Sequence, residues 1–244
     1  MTKLSCNLNK VATVRNTRAI GIPSILHAAE LCLAAGAHGI TVHPRPDERH
    51  IRYSDVDDLV VFLKDWPQAE FNIEGNPFTG ALDIVRKARP TQFTLVPDDP
   101  GASTSDHGWD IAANAARLGP VIQEVISLGV RASLFVDAGC PDLRLLRELG
   151  AERVELYTEP YARAFDRKDF NGTLAQFATT ARESQSAGLG VNAGHDLNTA
   201  NVPAFLAAVP NVLEVSIGHA LVSDALEFGL PVAVRRYLKG LRET

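Results

Sequence analysis

The stretch GITVHPRPDERHIRYSDVDDLVVFLKDW, residues 39–66, contains one whole unit of the fold. It opens as a buried strand would, with Ile40, Thr41 and Val42, and ends that run at His43. A loop follows in which Arg45, Arg49, His50 and Arg52 crowd together. Ser54 is then a good N-cap for DVDDLVVFLKDW, whose first turn is acidic, as the positive end of a helix dipole favours. The unit is strand, polar loop, helix.

The same unit recurs along the chain. Short β-prone runs stand at 4–8 (LSCNL), 39–43 (GITVH), 70–74 (EFNIE), 92–97 (QFTLVP), 131–137 (RASLFVD), 153–158 (RVELYT), 189–194 (LGVNAG) and 213–218 (LEVSIG). Most read as apolar nearly throughout, the pattern of parallel strands covered on both faces. Helical segments lie between them. SILHAAELCLAAGA carries Ile25, Leu26, Ala29 and Leu33 at helical spacing, with Gly36 to close it. Pro141 takes a first helical position before DLRLLRELG, and Gly150 and Gly188 suit left-handed C-caps. Pro120 is expected to kink or split the helix over 110–128. Eight strands alternating with helices in 244 residues predict a (β/α)8 TIM barrel with a few extra helices, one domain over 1–244. An open doubly wound sheet competes, but no GxGxxG or P-loop follows any strand.

Composition narrows the function classes. The chain is 45% hydrophobic and 22% charged, an ordinary globular balance that needs no disulfide or metal to fold. A net charge of −5 argues against a nucleic-acid partner. Cys6, Cys32 and Cys140 are an odd set without metal-ligand spacing, which fits a reduced cytoplasmic protein. MTKLSCNLNK has no signal-peptide core, and no apolar run is long enough for a membrane span.

Barrels of this type place their sites at the C-terminal strand ends. There the sequence sets Asn7, Asn9 and Lys10 after the first strand, His43 and Arg45 after the second, and Glu74 after the third. Asp98 and Thr104 follow the fourth, Glu155 and Tyr157 lie in the sixth, Asn192, His195 and Asp196 mark the seventh, and Gly218 and His219 the eighth. Structural readings stand beside functional ones. His43 can bond a loop carbonyl, Glu74 can pair with an arginine because a lone buried carboxylate is costly, and Glu155 can have a structural partner. His27 and His38 read as structural, His107 as exposed, Arg49 and Arg52 as solvated, and Cys6 as core. Histidine and glutamate suit acid–base work on carbonyl compounds. The turn SIGHAL suits a phosphate, and Arg15, Arg18, Arg45 and His50 can hold a second anion. Two anion sites with several acid–base groups suggest a reaction between two phosphorylated metabolites. The segment 98–108, DDPGASTSDHG, is either a lid over them or an ordinary surface loop.

The segments LSCNLNKVATVRNTR, GITVHPRPDERHI, FNIEGNP, LVPDDPGASTS, RVELYTEPYA, GLGVNAGHDL and EVSIGHALVSDAL together resemble the pyridoxine 5'-phosphate synthase (PdxJ) family, in order from residue 4 to about 238. The resemblance implies a closed (β/α)8 barrel assembled as a homo-octamer. It implies condensation of 1-deoxy-D-xylulose 5-phosphate with 3-amino-2-oxopropyl phosphate to pyridoxine 5'-phosphate, phosphate and water, with no metal or organic cofactor. It implies that His43 and Glu74 accept protons and His195 donates one. It places Asn7, Arg18, Thr104, Asp196, Gly218 and His219 on the aminoketone phosphate or the product. Asn9, Lys10, Arg45 and His50 fall on the sugar phosphate, and Glu155 matches a rim position. The family pattern at the first strand end is Asn-x-Asp-His, where this chain reads Asn7-Leu8-Asn9-Lys10; some members carry glycine in place of Asp196. Two alternatives remain at this level. One is a divalent-metal sugar-phosphate isomerase or aldolase using His43, Glu74, Glu155, His195 and His219 as ligands. The other is a non-catalytic phospho-metabolite-binding barrel.

Overall fold

The computed structural model describes residues 1–99, 101–102 and 104–242. Eight parallel strands close in sequence order, with β8 bonded back to β1. They are β1 (Lys3–Asn7), β2 (Gly39–Val42), β3 (Glu70–Gly75), β4 (Gln92–Leu95), β5 (Arg131–Val136), β6 (Arg153–Tyr157), β7 (Gly190–Gly194) and β8 (Val212–Ile217). Single α-helices follow five strands: α3 (Tyr53–Phe62), α4 (Ala81–Ala88), α5 (Ile111–Ser127), α6 (Leu143–Glu148) and α9 (Val202–Ala208). Three connections carry two helices each: α1 (Asn9–Asn16) and α2 (Ile25–Ala34), α7 (Glu159–Asp166) and α8 (Asn171–Ser186), and α10 (His219–Phe228) and α11 (Leu230–Arg242). This is the expected (β/α)8 barrel, extra helices included.

The strands differ from their sequence reading in one respect. Leu4 and Cys6, Ile40 and Val42, Phe71 and Ile73, and Phe93 and Leu95 join the apolar cluster shared with the helices. The residues alternating with them are buried and polar, among them Ser5, Thr41, Asn72, Thr94, Glu155, Asn192 and Glu214. Some of their contacts join neighbouring strands, as Ser5 with Thr41 and Asn72 with Thr94 do, and others cross the barrel between strands that are not neighbours. Asn192 Nδ2 on β7 donates to Gln92 Oε1 on β4 at 3.4 Å, and Thr94 Oγ1 on β4 donates to Glu155 Oε2 on β6 at 3.3 Å. The strands therefore alternate with period two, apolar toward the helices and polar toward the axis. They are not apolar throughout, and this barrel axis is not filled by the usual branched aliphatic layers.

At the N-terminal strand ends the polar groups neutralise one another. Glu70 accepts from Lys3 and from Arg131, Arg131 Nε also donates to Gln92 Oε1 at 2.8 Å, and Arg153 Nη1 donates to Asn192 Oδ1 at 3.1 Å. Burial opposes the Glu70 charge, but the two cations hold its carboxyl down to about 2. This end is a paired floor.

Two local expectations change, and a third, at Pro120, loses one of its two arms. Helix α3 begins at Tyr53 with Arg52 at the cap position, so Ser54 lies inside the first turn. The cap is made by Asp55, whose Oδ2 accepts from the Arg52 N–H at 2.7 Å while Arg15 fixes the same carboxylate. Pro141 lies outside α6, because Asp142 takes the cap position with a left-handed φ of 63°. Helix α5 runs through Pro120 as one element and is not split. Gly150 and Gly188 do adopt positive φ, 105° and 84°, after their helices.

Candidate active site

At the C-terminal strand ends a pocket of about 300 Å³ opens. Most residues expected at the mouth line it; Asp98, Tyr157, Asn192 and Arg15 do not, nor does Arg18, which is exposed in the segment after α1. Val96, Ser105, Phe135, Leu197, Ser216 and Ala220 complete the wall. The sequence reading did not single these out. For two of them the signal was present: Phe135 and Ser216 each stand two places beyond an inward residue, Ser133 and Glu214, on the same strand face.

Strands β2 and β3 bring two proton carriers together. His43 Nδ1 lies 3.7 Å from Glu74 Oε2, and Asn7 Nδ2 reaches the same oxygen at 3.4 Å. No arginine pairs with Glu74 among the described residues, so the expected structural salt bridge is not its role. Burial pushes the Glu74 carboxyl up from the ordinary 4.5 to about 8, helped by the negative charge of Asp98 and Glu214 and opposed by Arg45. Burial drives His43 the other way, well below its usual value, with Arg45, His50 and Arg49 adding repulsion. At neutral pH the proton of this pair therefore sits on Glu74, and His43 is a free base. Glu155, 3% exposed, is pushed up by burial and then by Glu74. Its Oε1 fills the space at Gly194, where a Cβ would collide with it.

His195 faces this pair from β7. Its Nε2 lies 2.8 Å from Thr104 Oγ1, its Nδ1 lies 3.2 Å from Asp196 Oδ2 off the hydrogen-bond direction, and its ring meets the Tyr157 ring edge-on at 5.2 Å. The contact with His195 holds the Asp196 carboxyl below its usual value despite partial burial. His195 and Asp196 both carry left-handed backbone, φ 88° and 57°.

The anion-binding expectations divide. Gly218 precedes the first turn of α10, so the free N–H groups of that helix open on the pocket beside His219. A Cβ at Gly218 would press on Asn7, 3.1–3.2 Å from its side-chain atoms. Lys10 lines the pocket, and its charge works against protonation of both His50 and Asp196. Burial lowers His50 to about 4, with Arg45 and Lys10 adding to the shift. The Ile51 N–H donates to His50 Nδ1 at 2.9 Å, so the neutral ring keeps its one proton on Nε2. Arg15 leaves the set: it is buried, paired bidentately with Asp55 and bonded to the His50 carbonyl. Arg45 lines the pocket but is already ion-paired with the buried Asp98. Ser105 Oγ also donates to Asp98, at 2.8 Å, and Arg49 Nη1 donates to the Ala102 carbonyl at 2.8 Å, so part of segment 98–108 is tied to the β2 loop. Pro100 and Ser103 of that expected lid lie outside the described residues.

A parallel (β/α)8 barrel with buried acid–base groups and helix N–H groups at its mouth defines a class: barrels equipped for proton transfer on anionic substrates. The family described as Pyridoxal phosphate biosynthesis protein PdxJ matches residues 4–243, and the chain belongs to it. The chain is 56% identical over 243 residues to the pyridoxine 5'-phosphate synthase of Albidiferax ferrireducens, covering 98% of this chain and 96% of that one. It is 53% identical over 248 residues to the enzyme of that name from Xanthomonas axonopodis pv. citri, covering 99% and 97%. Among solved structures it resembles a 3-hexulose-6-phosphate synthase (TM-score 0.62, 15% identity, 98% and 99% covered). It also resembles the phosphoribosyl anthranilate isomerase of Thermus thermophilus (TM-score 0.58, 14% identity, 99% and 99% covered). Those two likenesses speak for the fold alone.

Proposed function

We propose that this protein is a pyridoxine 5'-phosphate synthase, condensing 3-amino-2-oxopropyl phosphate with 1-deoxy-D-xylulose 5-phosphate. Its family membership and the His43–Glu74 pair facing His195 across one pocket support that reading. The reading carries a cofactor-free cytoplasmic enzyme, one barrel domain per chain, assembled as a homo-octamer. The metal-dependent alternative predicts a stoichiometric metal required for activity, which metal analysis of the purified protein tests.

The chemistry uses each group in the form its surroundings favour. The amine of one substrate attacks the ketone of the other, and loss of water gives an imine. Removal of the adjacent proton gives an enamine or enol, which expels the sugar's phosphate. Water adds, the ring closes on the second carbonyl, and dehydration makes it aromatic. His43, held neutral, accepts the first proton. Glu74 starts protonated, so it donates before it accepts. His195 donates from the opposite wall. The α10 N-terminus with Gly218, His219 and Asn7 takes the aminoketone phosphate, while Lys10, His50 and Asn9 take the sugar phosphate. Holding both substrates in one pocket contributes much of the rate gain.

Turnover by metal-stripped protein tests this. With both phosphates supplied and the aminoketone generated in place, pyridoxine 5'-phosphate and free phosphate should appear in equal amounts. Binding of 1-deoxy-D-xylulose 5-phosphate with neither product formed would favour the non-catalytic barrel.

A further inference from the structure

The backbone geometry at His195 has a cause outside its own strand. His195 and Asp196 follow β7 with φ of 88° and 57°, a conformation that L side chains disfavour. Such backbone persists only where neighbours over-determine it. The neighbour here is Thr158, the residue after β6, which is fully buried. Its Oγ1 lies 2.7 Å from the Gly194 carbonyl oxygen and 2.5 Å from the His195 carbonyl oxygen, and its N–H donates to the Gly194 carbonyl at 3.0 Å. One hydroxyl thus sits within reach of both carbonyls that flank the turn and shares its single proton between them. A second support stands behind it: Asn201 Nδ2 donates to the Asp196 carbonyl at 3.2 Å, and Tyr161 Oη donates to the Asn201 carbonyl at 2.8 Å.

We propose that Thr158 is a positioning residue for His195, its hydroxyl holding the left-handed turn that aims the imidazole into the pocket. The proposal rests on the reading of His195 as a proton donor. The division of labour on β6 supports it. Tyr157 packs edge-on against the His195 ring, and Thr158, the next residue, fixes the His195 backbone. Ring and main chain are therefore set by consecutive residues of one neighbouring strand end, while the Thr158 side chain itself does not line the pocket. Without the hydroxyl, its one proton is lost to the two carbonyls that share it, only the Gly194 carbonyl keeps a donor in the Thr158 N–H, and the turn is free to relax toward ordinary φ, moving the imidazole relative to the substrates. A displacement of that kind costs rate and leaves phosphate binding alone, because the α10 N-terminus and Lys10 are elsewhere.

The test is a double-mutant cycle in steady-state turnover. Thr158→Val keeps the shape and removes the hydroxyl; it should lower kcat about 10- to 100-fold, the scale of a small misplacement of a reacting group, with KM for both substrates little changed. Thr158→Ser keeps the oxygen and should restore most of kcat. In a His195→Ala background, Thr158→Val should cost nothing further. If Thr158→Val does not fold, Thr158→Ala, which opens space instead of setting a methyl against two carbonyl oxygens, carries the same comparison. Undiminished kcat without the hydroxyl, or the same loss in both backgrounds, overturns the proposal and leaves a purely structural threonine. A fully active His195→Ala variant overturns the role of His195 itself, and the proposal with it.

Discussion

Glu70 and Glu74 lie on the same strand, β3, one at the floor of the barrel and one at its mouth. At the floor Lys3 and Arg131 converge on Glu70 and hold its carboxyl down to about 2. At the mouth no cation among the described residues pairs with Glu74; burial and the charges of Asp98 and Glu214 raise it to about 8. Both side chains are mostly out of water, 14% and 13% exposed, so exposure does not separate them. Partners do. The floor uses charge to close the barrel; the mouth leaves a carboxyl uncompensated, which destabilises the fold and gives a proton carrier near neutral pH.

The largest expected effect is at Glu74. Glu74→Gln should lower kcat by about 10²-fold or more, the scale for losing a general acid or base. It should also make the protein more stable. A carboxyl raised from 4.5 to about 8 on folding favours the folded state fully below pH 4.5, and that contribution is lost as pH rises through about 8. The amide does not titrate. The variant should therefore melt several degrees above the parent near pH 9 and close to it near pH 4.5, roughly 2–4 °C for each kcal/mol recovered. A variant that loses activity without gaining alkaline stability would remove the contrast between the two ends.

Glu70→Gln should behave in the opposite way. Removing the acceptor shared by Lys3 and Arg131 should cost about 1–3 kcal/mol at neutral pH, with kcat of the folded enzyme unchanged. The lowered Glu70 carboxyl contributes stability above pH 4.5 that is lost as pH falls through about 2. The melting difference between parent and variant should thus shrink over that interval. A change in kcat larger than a few-fold would show that the floor is coupled to the chemistry.

The barrel and most of the mouth were legible in the sequence because their signals are local. Each strand end carries its own short motif, and strand ends converge once the barrel closes. The polar axis was missed because four- to six-residue strands such as GITV and QFTL hide their alternation: threonine, asparagine and cysteine sit where apolar and polar readings overlap. Arg15 was misread for another reason. Its position near other cations suggested an anion site, but its partner Asp55 arrives from the start of α3, and pairing between distant segments is a tertiary property. The same holds for Arg45 and Asp98, and for Thr158, which reads only as the last residue of a β-prone run until the β7 carbonyls are seen beside it.

The smallest expected effect lies where this chain departs from its family's pattern, at Asn9 and Lys10. Asn9 Oδ1 accepts from the His43 N–H at 2.9 Å, and the Asn9 N–H donates to Asn7 Oδ1 at 3.0 Å. An aspartate would accept the first bond equally well, so asparagine keeps the geometry and gives up a charge. Lys10 adds one, within electrostatic reach of His50 and Asp196. Lys10→His removes the permanent cation from a partly solvated position, where an ion pair contributes up to about 1 kcal/mol. KM for 1-deoxy-D-xylulose 5-phosphate should rise about 2- to 5-fold at low salt, the difference should fade as salt screens it, and kcat should hold. An unchanged KM at low salt would place Lys10 beside the pocket without a part in holding the sugar phosphate, and would leave the α10 N-terminus as the mouth's principal anion site.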